Sequence, residues 1–382
     1  MTAAYTTLVA YKKMMLACAA LFALTAHAQT RDSIETSNLR VIWHVNAVTE
    51  GQWNMKSGKA NWTNLLSAGV EGRTWRGGSV EMAALATGHL KEGIVDDLQD
   101  FSNINAENRG FRLTHLGIGQ QLFGKLYVYA GLREADEDYF NTDGAGIFTG
   151  SSYGCLPQAG ENFAIGVYPE AALGLHFEYN PADAWTIRES FYNGTASDRL
   201  DRQFRFCPSS DGFVNLGSVS YSPTFSRFLD DGGETASGFL TPAYVIGYAA
   251  GWQYAENGVS SEMVRKNGGA LWASIDQPLT RVGRICLNLF ATGGMRIGQI
   301  DAARGHWAAA LMLGNVTRCG GTLAMGVSQA HYAGNVHETD LETTFEYPLL
   351  SWLSLQRALH VIRTDGTTNV VGNLRLSVSL GN

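Results

Sequence analysis

Charged residues are scarce in this chain, and long apolar runs are nearly absent. Asp, Glu, Lys and Arg make up 16% of it, against about 25% in typical soluble domains. Beyond residue 28, no apolar run reaches the roughly 20 residues that a membrane-spanning helix needs, which excludes a helical membrane protein. Proline is low at 8 residues, whereas glycine reaches 44. This composition favours many strands joined by turns, and the net charge of −7 argues against nucleic-acid partners.

The amino terminus has the pattern of a secretory signal peptide. Two lysines precede a short apolar run over 14–24, and Ala-His-Ala follows at 26–28. A basic start, a short apolar core and a small-residue cleavage site direct a chain to export. We therefore predict a signal peptide over 1–28 and one mature domain over 29–382. Within the signal, Cys18 leaves a lipoprotein as the alternative.

Four cysteines remain in the predicted mature chain, at Cys155, Cys207, Cys286 and Cys319. Export permits disulfides, and four cysteines allow three connectivities. Pairing of sequence neighbours, Cys155 with Cys207 and Cys286 with Cys319, is the preferred disulfide arrangement. Four free thiols are the alternative. The spacing lacks the close cysteine pair of a zinc site, so no metal site is expected there.

Short segments of the chain alternate between apolar and polar residues. In the last segment the apolar residues share one parity, and they are Leu374, Leu376, Val378 and Leu380. Segments 125–133, 173–179 and 341–349 alternate in the same way. A period of two residues is typical of a strand with one apolar and one polar face.

About sixteen such strands are predicted, each near the ten residues that a tilted strand needs to cross an outer membrane. The further strands lie near 39–48, 62–75, 78–90, 111–122, 184–192, 213–221, 240–254, 270–279, 285–294, 305–314, 321–331 and 351–362. Polar loops are predicted at 91–110, 136–168, 195–212 and 223–238. Glu189 and Arg357 fall on the apolar parity, so a bulge or an interface position is expected at each.

The predicted fold is all-β, a transmembrane antiparallel β-barrel. A secreted β-sandwich or adhesin would also alternate, but it would hide the apolar face in a dry core, whereas a barrel turns that face to lipid. The export signal, the strand number and the low proline content favour the barrel. The outer membrane of a Gram-negative bacterium is the location that follows.

Several short motifs, in a shared order over roughly 75–376, resemble the carbohydrate-selective porins of the OprB family. They include Gly77-Gly78-Ser79, Gly124-Lys125-Leu126, Asp136-Glu137-Asp138-Tyr139-Phe140, Ser151-Ser152-Tyr153-Gly154, Asn193-Gly194, Asp276-Gln277 and Trp352-Leu353-Ser354-Leu355-Gln356. The resemblance implies a sixteen-stranded barrel that admits mono- or short oligosaccharides and other small solutes by passive diffusion. Its partners would be membrane lipid and sugars, with no cofactor, and oligomer formation is left open.

The chain departs from the family pattern at several places. His115 and Gly119 stand where acidic residues are expected, and Arg357-Ala358 replaces an expected Pro-Asp. The region 195–268 matches poorly, and the chain does not end in an aromatic residue. These departures affect the selectivity of a pore more than its fold.

Sugar hydroxyls need hydrogen-bonding partners, and sugar rings stack on aromatic faces, so polar-parity residues are the candidates for the pore lining. They are Glu71, Arg73, Lys125, Tyr127, Tyr129, Arg133, Arg188, Glu338, Glu342, Glu346, His360 and Arg375. We expect Glu338, Glu342 and Glu346 to contribute to a constriction. Trp185 and Trp352, near strand ends, are better explained as interface residues.

An outer-membrane hydrolase is the alternative function. Ser328 lies near His331 in sequence, but neither a nucleophile elbow nor a zinc-protease motif is present. No catalytic residue is therefore assigned. The acidic clusters at 136–138 and 230–234 lack the spacing of a calcium loop, so solvated loops explain them better than a metal site.

Overall fold

The computed structural model describes residues 40–91, 93–163, 165–230, 232–256, 263–300 and 302–382. The predicted signal peptide and its cleavage site lie outside these residues. None of the helices in the described part of the chain is long and apolar enough to cross a membrane.

Sixteen strands form among the described residues, as the alternating pattern predicted. They are β1 Arg40–Asn54, β2 Ala60–Trp75, β3 Gly78–His89, β4 Arg109–Leu122, β5 Leu126–Arg133, β6 Ala172–Ala182, β7 Trp185–Asn193, β8 Phe213–Tyr221, β9 Ala243–Glu256, β10 Met263–Val282, β11 Ile285–Gly298, β12 Ala303–Thr317, β13 Gly320–Tyr332, β14 His337–Leu350, β15 Leu353–Thr364 and β16 Thr367–Gly381.

Every strand pairs antiparallel with its sequence neighbours, and β1 pairs with β16 to close the barrel. At the seam, Thr49 lies opposite Leu376 and Gln52 lies opposite Asn373. A closed ring leaves no unpaired strand edge, so every strand finds backbone partners within the wall. The closed ring rules out the sandwich alternative.

The two faces of the wall differ as the alternation predicted. Large apolar side chains such as Leu311, Met325 and Leu374 are exposed on the outside. Polar side chains such as Ser328 and Asn373 are buried on the inside. A water-soluble core has the opposite arrangement, so this wall fits a lipid environment.

The connections differ at the two ends of the barrel. One end has short turns at 76–77, 123–125, 183–184, 283–284, 318–319 and 351–352, together with one long segment at 222–242. The opposite end has the long loops 90–108, 134–171 and 194–212. Outer-membrane barrels place short turns in the periplasm and long loops outside, which gives this chain its orientation.

Short helices occur within the long connections. One-turn α-helices span Asp136–Tyr139, Pro157–Gly160, Leu200–Gln203 and Pro208–Asp211, and 3₁₀ turns span Ala145–Ile147, Ser151–Tyr153, Ser226–Phe228 and Ala333–Asn335. Between β15 and β16, Asp365 and Gly366 both have positive φ, of 44° and 85°. That conformation suits a tight hairpin turn, for which Asp-Gly is a favoured sequence.

Loop 134–171 folds into the barrel rather than away from it. Its Phe148 and Tyr153 stack with ring centroids 4.1 Å apart, and they pack in a buried cluster with Phe290 and Met312 of the wall. Leu240 of segment 222–242 joins the same cluster from the other end of the barrel. The interior therefore holds its own apolar core, which the alternation of the strands did not predict.

The predicted disulfides are wrong, because all four cysteines are free in the structure. Cys286 is buried on β11, whereas Cys319 is exposed in the turn before β13. Cys155 lies in loop 134–171 and Cys207 lies in loop 194–212. Cys155 and Cys207 thus lie in different loops, and Cys286 and Cys319 lie in a strand and in a turn.

Two expectations about strand faces are also corrected. No register shift occurs at Glu189 or Arg357, so the bulge alternative is excluded at both described positions, and an interface position stays a prediction. Glu189 instead accepts a hydrogen bond from Tyr248 at 2.9 Å. Leu132 has the parity of the apolar face, yet it is fully buried with Leu113, so the end of β5 does not present that face to lipid.

Candidate functional site

Loops 90–108 and 134–171 dock on the inner face of β14. Glu338 accepts hydrogen bonds from the backbone N–H groups of Leu98 and Gln99, at 2.9 and 2.8 Å. Glu342 accepts from the N–H of Thr149 at 2.8 Å and from that of Gly150 at 3.1 Å. Hydrogen bonds to a charged acceptor are stronger than neutral ones, so these two carboxylates anchor both loops.

His360 of β15 extends the anchor of loop 134–171. Its Nδ1 lies 2.8 Å from Asp340 Oδ2, and its Nε2 lies 2.9 Å from Thr149 Oγ1. Glu338, Glu342 and His360 all have 0% exposure. Glu338 and Glu342 face inward but are covered by loops, so the prediction that they contact a passing solute is wrong. Their contribution to a constriction stays a prediction.

Arg375 of β16 has a mixed role. Its Nε lies 2.6 Å from Glu50 of β1, and its guanidinium also reaches Ser102 of loop 90–108 at 3.4 Å. The ion pair crosses the seam of the barrel. Arg375 also lines a cavity beside the loops, so it both holds the seam and borders open space.

Two adjoining cavities remain inside the barrel. We call the first the loop cavity: it measures about 550 Å³ and is lined mainly by loops 90–108 and 134–171. The second, the wall cavity, measures about 410 Å³ and is lined mainly by β1 to β5. The residues that border both are Leu65, Glu134, Glu137 and Tyr168. Both volumes fall within the roughly 300–1,000 Å³ of small-molecule sites.

The wall cavity is lined by acceptors, donors and aromatic rings. The Tyr127 hydroxyl donates to Glu81, and Arg133 makes a two-pronged contact with Asp138 at 2.6 and 2.7 Å. Although burial opposes it, the hydrogen bonds from Arg133 hold the pKa of Asp138 below its ordinary value. Arg133 is therefore fixed in place, with its remaining nitrogen 3.6 Å from Glu81.

Two acids of loop 134–171 have raised pKa values. Although 58% of the Glu137 side chain is exposed, the surrounding protein desolvates its carboxyl and, with repulsion from Asp136, raises its pKa to about 7. The same causes raise the pKa of Glu134 well above its ordinary value. These acids stand where the two cavities meet, so the charge of the boundary depends on what binds there.

Of the other predicted pore residues, Glu71 lines the wall cavity and pairs with Arg73 at 2.7 Å. Lys125 lies in the turn at 123–125, where its Nζ donates to Pro181 O at 2.8 Å. The placement of Lys125 on the pore wall is thus wrong, because the strand begins one residue later.

The remaining predicted residues point inward but differ in surroundings. Tyr129 is 1% exposed, and its hydroxyl donates to Leu132 O at 2.9 Å, so it is wall packing. Arg188 pairs with Glu178 at 2.8 Å and borders a separate cavity of about 240 Å³. Glu346 is half-buried on β14.

Sequence reasoning missed Glu81, Glu134 and Tyr168, which line the wall cavity. The Tyr168 hydroxyl donates to Ile104 O at 3.0 Å and so joins the two loops. The alternation of the strands gives the parity of a wall residue, but it does not tell which loop residues turn inward. The acidic segment 136–138, inside a long loop, was the one feature of the sequence that pointed to a loop residue in the site.

The alternative sites predicted from sequence separate in the structure. Ser328 is buried, within 3.3 Å of Ser152 Oγ, while His331 has the opposite parity and contacts His337 edge to face. The pair cannot act together, because its members lie on opposite faces of β13. In the segment 230–234, Asp230 closes its own turn by accepting from the N–H groups of Gly232 and Glu234.

Comparison with known proteins agrees with this architecture. The family described as carbohydrate-selective porin, OprB family, matches residues 60–379. The high-pH structure of Pseudomonas putida OprB aligns with a TM-score of 0.71 at 16% identity, covering 90% of this chain and 94% of that one.

More distant structures share the barrel. The anion-selective porin from Comamonas acidovorans aligns with a TM-score of 0.54 at 11% identity, over 90% of this chain and all 100% of its own. The trimer form of Vibrio cholerae OmpT gives 0.53 at 10% identity, again over 90% and 100%. No curated protein matches the sequence.

Proposed function

Because the chain belongs to the carbohydrate-selective porin family OprB, we propose that small sugars cross its barrel through the wall cavity and the loop cavity in turn. The protein is an outer-membrane porin of a Gram-negative bacterium. The observation that carries the proposed route is that the two cavities adjoin inside a closed ring of strands. We name mono- and short oligosaccharides as the solutes.

The chemistry of the wall cavity suits a polyol. Arg133 supplies donors, Glu71 and Glu137 supply acceptors, and the rings of Tyr127 and Tyr168 supply flat apolar faces. Sugar hydroxyls both donate and accept, while the C–H faces of the ring pack on aromatics. A lining with all three kinds of group lets hydroxyls exchange water for protein partners along the route.

Passage by this route is passive and needs no covalent step. The solute moves down its gradient and leaves unchanged, so neither a cofactor nor a catalytic group is assigned. Weak, repeated contacts suit such transport better than one tight site, because a solute must leave as well as enter.

The test fills the wall cavity with a side chain. Ser67 lines this cavity on the inner face of β2, and its neighbour Ala68 has the parity of Trp62, which is exposed on the outer face. We expect Ser67→Trp to slow glucose entry into proteoliposomes, measured by swelling, because the indole occupies the space between Leu65 and Tyr127. The matched control, Ala68→Trp, adds the same group to the outside and should leave the rate unchanged.

Swelling rates are compared at equal amounts of folded barrel, judged by heat-modifiable migration on gels. Equal rates for Ser67→Trp and the unaltered protein would place the route elsewhere. A wild-type protein that admits no sugar would contradict the function itself, so the two failures are distinguishable.

A further inference from the structure

Three potential metal ligands meet at the boundary between the two cavities. His115 of β4, Glu134 and Glu137 each offer one ligand atom, and these atoms lie within 4.8 Å of one another. His115 Nε2 is 3.6 Å from Glu137 Oε2. A residue of the wall and two residues of loop 134–171 thus converge on one point.

Glu134 is the second, independent observation. The residue is only 6% exposed, and its Oε1 has no hydrogen-bond partner among the described residues. Burial of a carboxylate without a partner is costly unless a cation or a donor compensates it. The nearby Arg133 is held by Asp138, so a bound cation would compensate this oxygen in place of the proton that burial otherwise favours.

We propose that His115, Glu134 and Glu137 bind a divalent transition-metal ion of the Zn²⁺ type, and that the bound ion narrows the passage between the cavities. One imidazole nitrogen and two carboxylate oxygens are a ligand set that zinc accepts, with water as the fourth ligand. The cavities on either side give water access. Calcium and magnesium favour oxygen ligands alone, so the imidazole disfavours them.

The position of the site explains its effect on transport. Glu137 is 58% exposed to the cavities, so an ion can reach the site from the lumen. Because both glutamates border both cavities, an ion with its water would occupy the space that a solute has to cross. The ion would also tie loop 134–171 to β4, a strand on a different part of the ring from the anchor at β14.

A second group of ligands, Asp340, Glu342 and His360, is less suited to a metal. All three are buried beneath loop 134–171, and Glu342 and His360 already bind Thr149. The loop thus satisfies Glu342 and His360, whereas Asp340 Oδ1 has no hydrogen-bond partner among the described residues. The group at His115 differs because its Glu137 is exposed to the cavities, whereas all three ligands of the second group are buried.

The first experiment measures ion conductance of the purified barrel in planar bilayers while Zn²⁺ is titrated. We expect Zn²⁺ to lower conductance in a saturable manner and Mg²⁺ at the same concentrations to have no such effect. His115→Ala and the isosteric Glu134→Gln should each raise the half-inhibitory Zn²⁺ concentration at least about tenfold, on the scale by which lost ligand support weakens metal sites.

The second experiment detects binding without transport. Electron paramagnetic resonance of bound Cu²⁺ should show coupling to one imidazole nitrogen, and His115→Ala should remove it. The control is the double variant His331→Ala, His337→Ala, which deletes an edge-to-face imidazole pair on β13 and β14 and should change neither readout. Imidazole coupling that survives in His115→Ala and disappears in the control would overturn the site.

Zn²⁺ inhibition that is equal in the unaltered protein and in both ligand variants would also overturn it. Copper bound through His115 with an unchanged conductance would overturn the narrowing of the passage. The binding readout does not depend on the proposed sugar route, so its failure and a failure of sugar transport are separate results.

Discussion

Thr149 and Glu342 show how single side chains decide the shape of this lumen. Thr149 offers its backbone N–H and its hydroxyl to Glu342 Oε1, at 2.8 and 3.0 Å, and Gly150 offers its N–H to the other oxygen. Three donors thus converge on one carboxylate. Close by, an alanine-sized side chain at Gly326 would come within 2.8 Å of the Tyr153 hydroxyl, so the wall is fitted to this loop.

Glu342→Gln should loosen loop 134–171 while the barrel stays folded. The amide keeps one acceptor but turns a donor towards the N–H of Gly150, so the loop loses a bond to a charged group worth about 1.5–3 kcal/mol. Limited proteolysis should cut the loop faster, and single-channel current should become noisier. Glu346→Gln is the control, since no hydrogen bond from Glu346 to either loop occurs in the described part of the chain. Equal cleavage of both variants would show that Glu342 is not an anchor.

For single residues, the sequence predicted which face of the wall a side chain lies on but not which residues it contacts. The parity of β14 placed Glu338 and Glu342 inside, and the structure has them there. Their partners, Leu98 and Thr149, belong to loops 240 and 193 residues away in sequence. Hydrogen bonds over such separations leave no periodic signal, so the anchor roles could not be predicted from the pattern.

Among the elements, β12 presents the apolar outer face most simply. Trp307 and Leu311 are exposed on it, whereas Ala308, Ala310 and Met312 are buried on the other side. Leu311 lies near the middle of the strand and opposite Met325 of β13, which is 58% exposed. An exposed apolar pair at mid-strand belongs in the hydrocarbon part of the bilayer.

Leu311→Arg should therefore lower the free energy of unfolding in lipid vesicles. A cation on the lipid face near the bilayer midplane costs about 2–4 kcal/mol, and urea titration would register the loss. Leu311→Ala keeps the position neutral and should cost less. A stability for Leu311→Arg no lower than that of the alanine variant would show that this face does not meet lipid.

Element boundaries followed the alternation where the alternation was clean. Segment 213–221 matches β8 Phe213–Tyr221, whereas 270–279 covers only the middle of the 20-residue β10. The start of β10 contains Arg265, Lys266 and two glycines at 268 and 269. These residues do not alternate between apolar and polar. Pairing with β9 and β11 extends the strand there, so neighbouring strands supply what the local pattern lacks.

Over the whole molecule, two cysteines mark opposite ends. Cys207 lies in loop 194–212, among the long loops, and Cys319 lies in the short turn before β13. The Cys207 Sγ lies 3.6 Å from Ser209 Oγ, and the neighbouring Ser210, Ser209 and Arg205 lower the pKa of the thiol by favouring the thiolate. A lower pKa increases the fraction of reactive thiolate.

Single-cysteine variants should thus report the orientation of the barrel. In intact cells, a membrane-impermeant maleimide should label the variant that keeps only Cys207. The variant that keeps only Cys319 should react after the outer membrane is permeabilised. Labelling of Cys319 alone in intact cells would mean that the short turns face outward.

The ring itself was predictable from the export signal and sixteen alternating segments, because each strand buries backbone polar groups only by pairing. The packing of the loop inside the barrel could not be predicted from the sequence. Phe140 packs on Trp272 of β10 with centroids 5.0 Å apart, and both residues look like ordinary members of a loop and a strand in the sequence. Their meeting depends on the path of loop 134–171 through the lumen, which is a tertiary property.

The path of loop 134–171 through the lumen braces the barrel wall from the inside. Loop 134–171 reaches β10 through Phe140, β11 through Phe148 and β14 through Thr149, while segment 222–242 enters from the opposite end and meets it at Asp143. An empty barrel deforms readily under lateral pressure, whereas a barrel with contacts across its lumen keeps its cross-section. The width of this lumen is thereby held from within, and lateral pressure from the surrounding lipid has little leverage on it.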